Sequence, residues 1–316
     1  MIACAGALLA VGTALAGTGG LLPVTPHSPN AHKITEAYIF VLVFAGIVFV
    51  GVEGALIAFV VRYRRGKRPR TAEGPQIHGS TRLEIAWTVV PVLILATIGG
   101  FIFAELPGIA DPPAAAAADQ TTIQVEGHQF YWLFRYPNGA ITIGTMIAPA
   151  DEVVHEEVLA PSTDVLHSWW VPALGGKIDA IPGRTNKTWF EAPAGEYAAR
   201  CSDLCGIQHA HMTALVRVVP RAAYEQFITE RASQPTGLAL GKEEFQRVCA
   251  TCHRLATNYI GPSLGDNPTI RTAKDLSTIL RKGVGKMPAV GVDWTDNQIA
   301  ALVAYTNTFP KPKVTS

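Results

Sequence analysis

The sequence predicts a multidomain membrane protein that consists of a two-helix transmembrane hairpin, an antiparallel β-sandwich or barrel, and a small all-α domain. Two long apolar runs, at residues 38–61 and 85–106, predict the hairpin. Short β-like segments between residues 121 and 220 predict the sandwich, and a helical pattern around a Cys-x-x-Cys-His motif predicts the third domain. A length of 316 residues fits two or three domains.

The composition agrees with a membrane protein. A mean hydropathy of +0.22 with 16% charged residues is high for a soluble chain. The net charge of +1 gives no indication of a nucleic-acid partner. Four of the five cysteines lie in two compact motifs, Cys201/Cys205 and Cys249/Cys252. Such clustering is typical of metal or haem chemistry rather than of a disulfide framework.

The predicted hairpin, residues 36–106, has a basic loop that indicates its orientation. Each apolar run reaches the roughly 20 residues that a membrane crossing needs. Six Lys or Arg residues lie between Arg62 and Arg70, which places this loop on the cytoplasmic side of a bacterial cell membrane. All residues after Leu106 are then expected on the outer, periplasmic or extracytoplasmic, face. Glu53 lies within the first run, where a carboxylate is costly, so it either bonds to a neighbouring helix or has a functional role.

Residues 1–35 form a predicted signal or N-terminal segment. Ala14-Leu15-Ala16 is similar to a signal-cleavage site, but no basic region precedes the apolar stretch. A cleaved signal and a third membrane span therefore both remain open. Cys4 is a candidate lipidation site.

Residues 117–220 form the predicted β-domain, after a Pro/Ala-rich linker. Its segments alternate in polarity or are β-branched, and Gly, Pro and Asn bound them. This pattern predicts an antiparallel sandwich or barrel. The segments are residues 121–136, 140–149, 152–161, 163–174, 186–193, 195–201 and 213–220.

One short stretch of this domain, CSDLCGIQHAHM, concentrates possible metal ligands. Cys201 and Cys205 are followed by His209 and Met212, and His167 is available upstream. Thiolate, imidazole and thioether together favour copper, because a thioether has little affinity for zinc. A short-loop disulfide and a Cys₂His₂ zinc site are the alternatives. Ligand types do not say whether one copper or two are bound, although two thiolates exceed the needs of a mononuclear blue-copper site.

The stretches HSWWVPALGGKIDAIPGRTNKTW and CSDLCGIQHAHM resemble the signature of cytochrome c oxidase subunit II. The resemblance covers about residues 36–220 and implies a cupredoxin-like β-barrel that holds a binuclear copper centre, CuA. It implies that Cys201 and Cys205 bridge the two coppers. His167 and His209 are then the terminal imidazole ligands.

The same resemblance implies roles for four further residues. Met212 would be the axial thioether, and Asp203 would give its backbone carbonyl to the second copper. Asp203 stands where the family usually has Glu, a ligand of magnesium at the interface with subunit I. Phe130, in GHQFYW, replaces the family tryptophan that accepts electrons from soluble cytochrome c. Glu84, in LEIAWT, is at the family's proton-uptake position of the K pathway; an ordinary interfacial acid near a helix start is the alternative.

The C-terminal part of the chain is predicted to contain a linker and a haem domain. Residues 221–236 begin as a helix and end as a linker, and residues 237–312 form the domain. The motif Cys249-x-x-Cys252-His253 is typical of covalent attachment of haem c, with the histidine as an iron ligand. A zinc or redox Cys-x-x-Cys site is the alternative.

A second iron ligand is predicted at Met287. The loop GVGKMPAVG resembles the methionine loop of class I cytochrome c domains, and Met/His ligation suits an electron carrier. A core methionine is the alternative. Thr295 is a predicted N-cap of a last helix, whose apolar residues include Ile299 and Leu302.

Together, the resemblances imply subunit II of a caa-type haem–copper oxidase with cytochrome c fused at its C-terminal end. Electrons would pass from haem c to CuA and on to haem in subunit I, where oxygen is reduced to water with proton translocation. Subunit III and an upstream donor, a cytochrome bc complex or another cytochrome c, are further expected partners.

Oxygen reduction is expected in the partner subunit, because the two spans lack a histidine cluster for an oxygen site. Two alternatives remain open: a CuA-bearing subunit of a nitric oxide reductase, and a free-standing, membrane-anchored electron shuttle or copper protein. Glu84 and the stretch GGKIDAIPGR favour the oxidase.

Overall fold

The computed structural model divides the chain into two compact units. One unit contains residues 32–109, and the other contains residues 110–316 together with the first 31. The described residues are 20–64, 74, 76, 78–113, 121–265 and 267–309. Cys4, the cleavage-site pattern and residues 65–73 of the basic loop lie outside them.

The first unit is built around two helices, α1 (Pro29–Tyr63) and α2 (Thr81–Ala110), both long and apolar enough to cross a membrane. They extend beyond the predicted spans because polar residues continue each helix past the apolar run. At one end Lys33 Nζ lies 2.7 Å from Glu105 Oε2. Most apolar side chains of the two helices are exposed within this chain, as is Glu53.

The β-domain (residues 121–219) is a sandwich of two five-stranded sheets, with strand orders β3-β2-β1-β5-β8 and β4-β10-β9-β6-β7. Its strands are β1 (Thr121–His128), β2 (Tyr131–Arg135), β3 (Ile141–Ile143), β4 (Thr145–Pro149), β5 (Val153–Leu159), β6 (His167–Trp170), β7 (Ile178–Ala180), β8 (Asn186–Glu191), β9 (Gly195–Cys201) and β10 (Thr213–Val219).

The predicted sandwich is confirmed, but its strands differ in detail from the prediction. Six of the eight strand pairs are antiparallel, but β1 pairs with β5 and β4 with β10 in parallel. Side-chain alternation is the same in both directions, so the pattern carries no information on strand direction. The predicted segment 121–136 is divided by a turn at Gln129 and Phe130 into the hairpin β1–β2.

Helix α3 (Arg221–Ser233) follows β10 directly and closes the sandwich. Its residues Tyr224 and Ile228 are buried and belong to the core between the two sheets. The helical start of segment 221–236 therefore packs against the β-domain.

The C-terminal domain (residues 238–309) contains helices α4 (Leu238–Arg247), α5 (Ala273–Lys282) and α6 (Asp296–Thr306). Short 3₁₀ turns lie at Cys249–Thr251 and Pro268–Arg271. Helices α4 and α6 cross at Gly241, where a β-carbon would overlap the carbonyl of Ala301. Thr295 caps α6 in a capping box with Gln298, as the sequence predicts.

The C-terminal domain packs directly on strands β2 and β3. Tyr131, Leu133 and Ile143 are buried in one cluster with C-terminal residues such as Phe245. The Ile143 amide donates to Glu243 Oε2 over 3.1 Å. Haem and metal motifs therefore lie on two domains that share a hydrophobic core.

Candidate metal centre and haem pocket

Three neighbouring strands bring the predicted metal ligands to one edge of the second sheet. His167 begins β6, Cys201 ends β9 and Met212 immediately precedes β10. Because β9 is antiparallel to both neighbours, these three points lie at the same edge. The amide of Cys201 donates to the carbonyl of Met212 over 2.9 Å. Cys205 and His209 follow on the connecting loop.

The ligand atoms form a compact cluster. Cys201 Sγ and Cys205 Sγ are 3.8 Å apart, and Cys205 Sγ lies 3.7 Å from both His209 Nδ1 and Met212 Sδ. Ligand atoms of His167, Cys201 and Cys205 lie within 4.8 Å of one another. The two thiols are free and are separated by more than a disulfide bond length.

The imidazole of His167 is oriented by Asp164. Its Nε2 lies 3.1 Å from Asp164 Oδ1, while its buried Nδ1 has no hydrogen-bond partner among the described residues. Buried polar atoms are nearly always satisfied, so this nitrogen fits a metal ligand. Burial opposes ionisation of Asp164, but hydrogen bonds from His167 and the Val165 amide outweigh it and lower the pKa of the carboxyl.

The two thiols differ in proton affinity because they are neighbours. The hydrogen bond with Cys205, helped by His167, lowers the pKa of Cys201, and the same pairing raises the pKa of Cys205. A cation bound between the sulfurs would hold both as thiolates.

Sequence motifs did not indicate the next layer of contacts. The backbone N–H of Gln129, in the β1–β2 turn, donates to Asp164 Oδ2 over 3.2 Å. Its side-chain Nε2 donates to the carbonyl of Cys205 over 2.7 Å. Among these contacts, only the pairing of Asp164 with His167 has a local indication in the sequence, because the two residues are three positions apart. Asp203 directs its carbonyl oxygen to within 3.2 Å of Cys201 Sγ.

The C-terminal domain contains an apolar cavity of about 310 Å³ that Cys249, Cys252, His253 and Met287 line. Other lining side chains are Val248, Leu264, Ile270, Leu276 and Leu280. His253 Nδ1 donates to the carbonyl of Pro262 over 2.7 Å, which leaves Nε2 as the ligand nitrogen. A β-carbon at residue 261 would overlap the His253 ring, so glycine permits this close approach. The donor set and the apolar lining fit a haem.

Three residues of the β-domain line the same cavity. Gln129 and Phe130 come from the β1–β2 turn, and Ile207 comes from the loop that carries Cys205 and His209. The Ile207 side chain is 82% exposed. The metal cluster and the haem cavity therefore have one loop in common.

Two further histidines and one acid lie outside the cluster. His128 is buried, with Nε2 3.3 Å from Glu126 Oε2, and its ring stacks on Tyr131. His211 is exposed. Glu84 lies in the first turn of α2, in the other compact unit.

Three protein-family models match this chain in sequence. The transmembrane domain of cytochrome c oxidase subunit II matches residues 21–104, and its periplasmic domain matches residues 142–219. The family described as cytochrome c oxidase, cbb3-type, subunit III matches residues 237–305.

Among curated relatives, cytochrome c oxidase subunit 2 of Alkalihalophilus pseudofirmus is 35% identical over 256 residues, covering 76% of this chain and 72% of the relative. The Cereibacter sphaeroides protein of the same name is 33% identical, covering 68% and 80%. The solved periplasmic domain of cytochrome oxidase subunit II from Bradyrhizobium japonicum is 33% identical and covers 36% of this chain and 94% of that one, with a TM-score of 0.34.

These matches confirm the family that the two sequence signatures indicated, including the fused haem domain. They imply copper as a cofactor of the β-domain and haem as a cofactor of the C-terminal domain. The chain belongs to the cytochrome c oxidase subunit II family, with a cytochrome c domain fused at its C-terminal end, and is an electron-transfer subunit of a haem–copper oxidase that associates with subunit I.

Proposed function

We propose that this subunit conducts electrons from a covalently bound haem c to a binuclear CuA centre and on to haem in subunit I, where oxygen is reduced to water with proton translocation. The observation that carries this proposal is the shared loop. Ile207 lines the haem cavity two residues after Cys205 and two before His209. A loop that carries metal ligands and also lines the haem cavity would favour electron transfer within one chain.

The β-domain holds copper through two thiolates and two imidazoles. Cys201 and Cys205 would bridge the metals, since their sulfurs are 3.8 Å apart. His167 would bind through its unpartnered Nδ1, and His209 through the Nδ1 that lies nearest to Cys205. A thiolate-bridged copper pair supplies a one-electron carrier when bound.

Met212 and Asp203 complete this proposed ligand set. Met212 is buried with its sulfur 3.7 Å from Cys205 Sγ, and it would be the weak thioether ligand. The carbonyl oxygen of Asp203 faces Cys201, and the Asp203 carboxylate accepts a hydrogen bond from the Leu204 amide. We assign the carbonyl to the second copper and assign water-mediated magnesium binding at the subunit I interface to the carboxylate.

The C-terminal domain holds haem through four residues. Cys249 and Cys252 would form the thioether bonds, and His253 and Met287 would be the two axial ligands. Burial raises the pKa of Cys249 to about 12, so this thiol is protonated before attachment. A haem held by both His253 and Met287 would supply one-electron transfer. Phe130, on the cavity wall, would be the electron-entry position of the copper domain.

The remaining assignments concern the membrane and the partners. From the basic loop we assign the copper and haem domains to the outer face of the bacterial membrane, and Glu84 to the cytoplasmic side as the start of the K pathway. Subunit III and an upstream donor, a cytochrome bc complex or another cytochrome c, complete the proposed assembly.

A Cys201→Ser substitution tests the copper assignment. We expect loss of the mixed-valence copper EPR signal with retention of the haem c absorption, because the bridging thiolate is removed and the haem cavity is left intact. Ser202→Ala is the matched control, since the Ser202 hydroxyl has no hydrogen-bond partner among the described residues. Unchanged copper binding in Cys201→Ser would show that the CuA assignment is wrong.

Two measurements separate this proposal from the alternatives. The purified complex should turn over oxygen and not nitric oxide, whereas a nitric oxide reductase would show the reverse. The chain should be recovered together with a large polytopic subunit. Full metal loading and stability without that partner would support a free-standing shuttle instead.

A further inference from the structure

The hydroxyl of Tyr131 connects the β-domain to the C-terminal domain through two hydrogen bonds. It donates to the carbonyl of Val290 over 2.7 Å and accepts from Trp294 Nε1 over 2.8 Å. Tyr131 begins strand β2, whereas both partners lie between α5 and α6. The side chain is 2% exposed, so water does not compete for these bonds.

The ring of Tyr131 is fixed on both sides. It stacks on the imidazole of His128, with centroids 4.6 Å apart and planes at 1°, and meets the Trp294 indole edge-on at 6.3 Å. Burial raises the pKa of the Tyr131 hydroxyl well above its ordinary value. The hydroxyl therefore keeps its proton and remains a donor to Val290.

The bonded carbonyl belongs to the segment that carries Met287. Residues 287–294 form no helix or strand. Met287 exchanges hydrogen bonds of 3.0 and 3.2 Å with Val284, and the Gly291 amide donates to Leu280 over 2.9 Å. Val290 lies between these two bonded positions, and its carbonyl is held by Tyr131, a residue of the β-domain.

We propose that Tyr131 is a positioning residue for Met287, so that the β-domain completes the methionine loop of the haem domain. The inference rests on the proposed function, in which Met287 ligates the haem iron. A loop held at Val290 keeps the thioether within reach of the iron. Without the hydroxyl, the Val290 carbonyl and the buried Trp294 indole lose a partner, and an external ligand displaces the thioether more easily.

The test is Tyr131→Phe in the full-length, haem-loaded protein, since phenylalanine keeps the ring and removes the hydroxyl. Imidazole is titrated into the ferric protein while the weak red absorption band of thioether-ligated haem is followed. We expect imidazole to bind about tenfold more tightly than in the wild type. Tyr136→Phe is the matched control, because the Tyr136 hydroxyl is also buried but bonds within the β-domain, to Ile147 and Thr142.

The outcomes distinguish the two levels of inference. If the wild-type protein lacks the red band, ligation by Met287 is wrong. If the band is present and imidazole binds equally to wild type and Tyr131→Phe, the positioning role is wrong. Should Tyr131→Phe fail to load haem, Trp294→Phe is tested instead, because it removes the donor that directs the Tyr131 hydroxyl toward the Val290 carbonyl. Imidazole affinity equal to wild type in that variant would also overturn the proposal.

Discussion

The carboxylate of Asp164 bonds to two parts of the metal cluster's surroundings. One oxygen pairs with His167 Nε2, and the other accepts from the backbone N–H of Gln129. Gln129 in turn donates to the carbonyl of Cys205. Asp164 therefore orients the imidazole of His167, a proposed ligand, and also connects the β1–β2 turn to the cysteine loop.

We expect Asp164→Asn to weaken copper binding by about 10- to 100-fold, because the charged acceptor that orients His167 is lost. Competition with a copper chelator in the full-length protein measures this. Glu157→Gln is the control, since Glu157 pairs with Lys187 at 3.2 Å on a partly exposed surface. Equal affinity in Asp164→Asn and wild type would contradict an orienting role.

The sequence allowed candidate metal ligands to be predicted, but not the residues that hydrogen-bond to them. Cys201, Cys205, His209 and Met212 could be proposed as ligands because they share one short stretch, and His167 was available upstream as a second imidazole. Hydrogen-bond partners are different, since they depend on which loops the fold brings together. Nothing in the spacing between Gln129 and Cys205 predicts their bond.

At the level of elements, the sequence predicted the β-segments better than their pairing. His128 and Tyr131 are both buried, so the apolar pattern runs through the turn that divides the predicted segment 121–136. Strand β7 (Ile178–Ala180) was not predicted, because three residues are too few for an alternation pattern. The cap of α6 at Thr295 was predictable because capping is local.

Helix α4 carries a buried acid, Glu244, that lowers the free energy of unfolding of the protein at neutral pH. Glu244 is 0% exposed, and neither carboxylate oxygen has a hydrogen-bond partner among the described residues. Burial, with a smaller contribution from the Glu243 charge, raises its pKa from 4.5 to about 10, although Arg231 acts in the opposite direction. Glu244 is therefore a neutral acid in the folded protein at neutral pH.

This pKa makes the free energy of unfolding depend on pH. Below about pH 4.5 the carboxyl is protonated in both states, so Glu244 causes no pH dependence there. Between about 4.5 and 10 the unfolded state loses the proton and the folded state keeps it. The free energy of unfolding then falls as pH rises, by about 1.4 kcal/mol per pH unit.

We expect Glu244→Gln to stabilise the protein relative to wild type by an amount that grows with pH. The gain at pH 8 should exceed the gain at pH 5 by about 4 kcal/mol, measured by urea unfolding of the detergent-solubilised chain. Glu230→Gln, on the exposed side of α3, is the control and should show no such trend. A gain that does not vary with pH would mean that Glu244 is ionised in the folded state.

For the molecule as a whole, the main feature that the sequence did not predict is the shared core. Tyr131 and Trp294 are 163 residues apart, and each belongs to a segment whose pattern is complete without the other. Periodicity shows that a side chain is buried but does not show which element covers it. The two domains were therefore predictable as separate folds, whereas their interface was not, because it depends on which elements the fold brings together.

A substitution in that interface tests whether the domains unfold together. Leu133 is 0% exposed and packs with C-terminal core residues, whereas Val158, equally buried, packs only within the β-domain core. In the wild type, haem absorption and far-ultraviolet circular dichroism should report one urea transition. Leu133→Ala should cost about 2–5 kcal/mol and move the haem transition to lower urea than the backbone transition, because the cavity loosens the interface. Val158→Ala should lower both together. An unshifted haem transition in Leu133→Ala would show that the haem domain is stable without the β-domain.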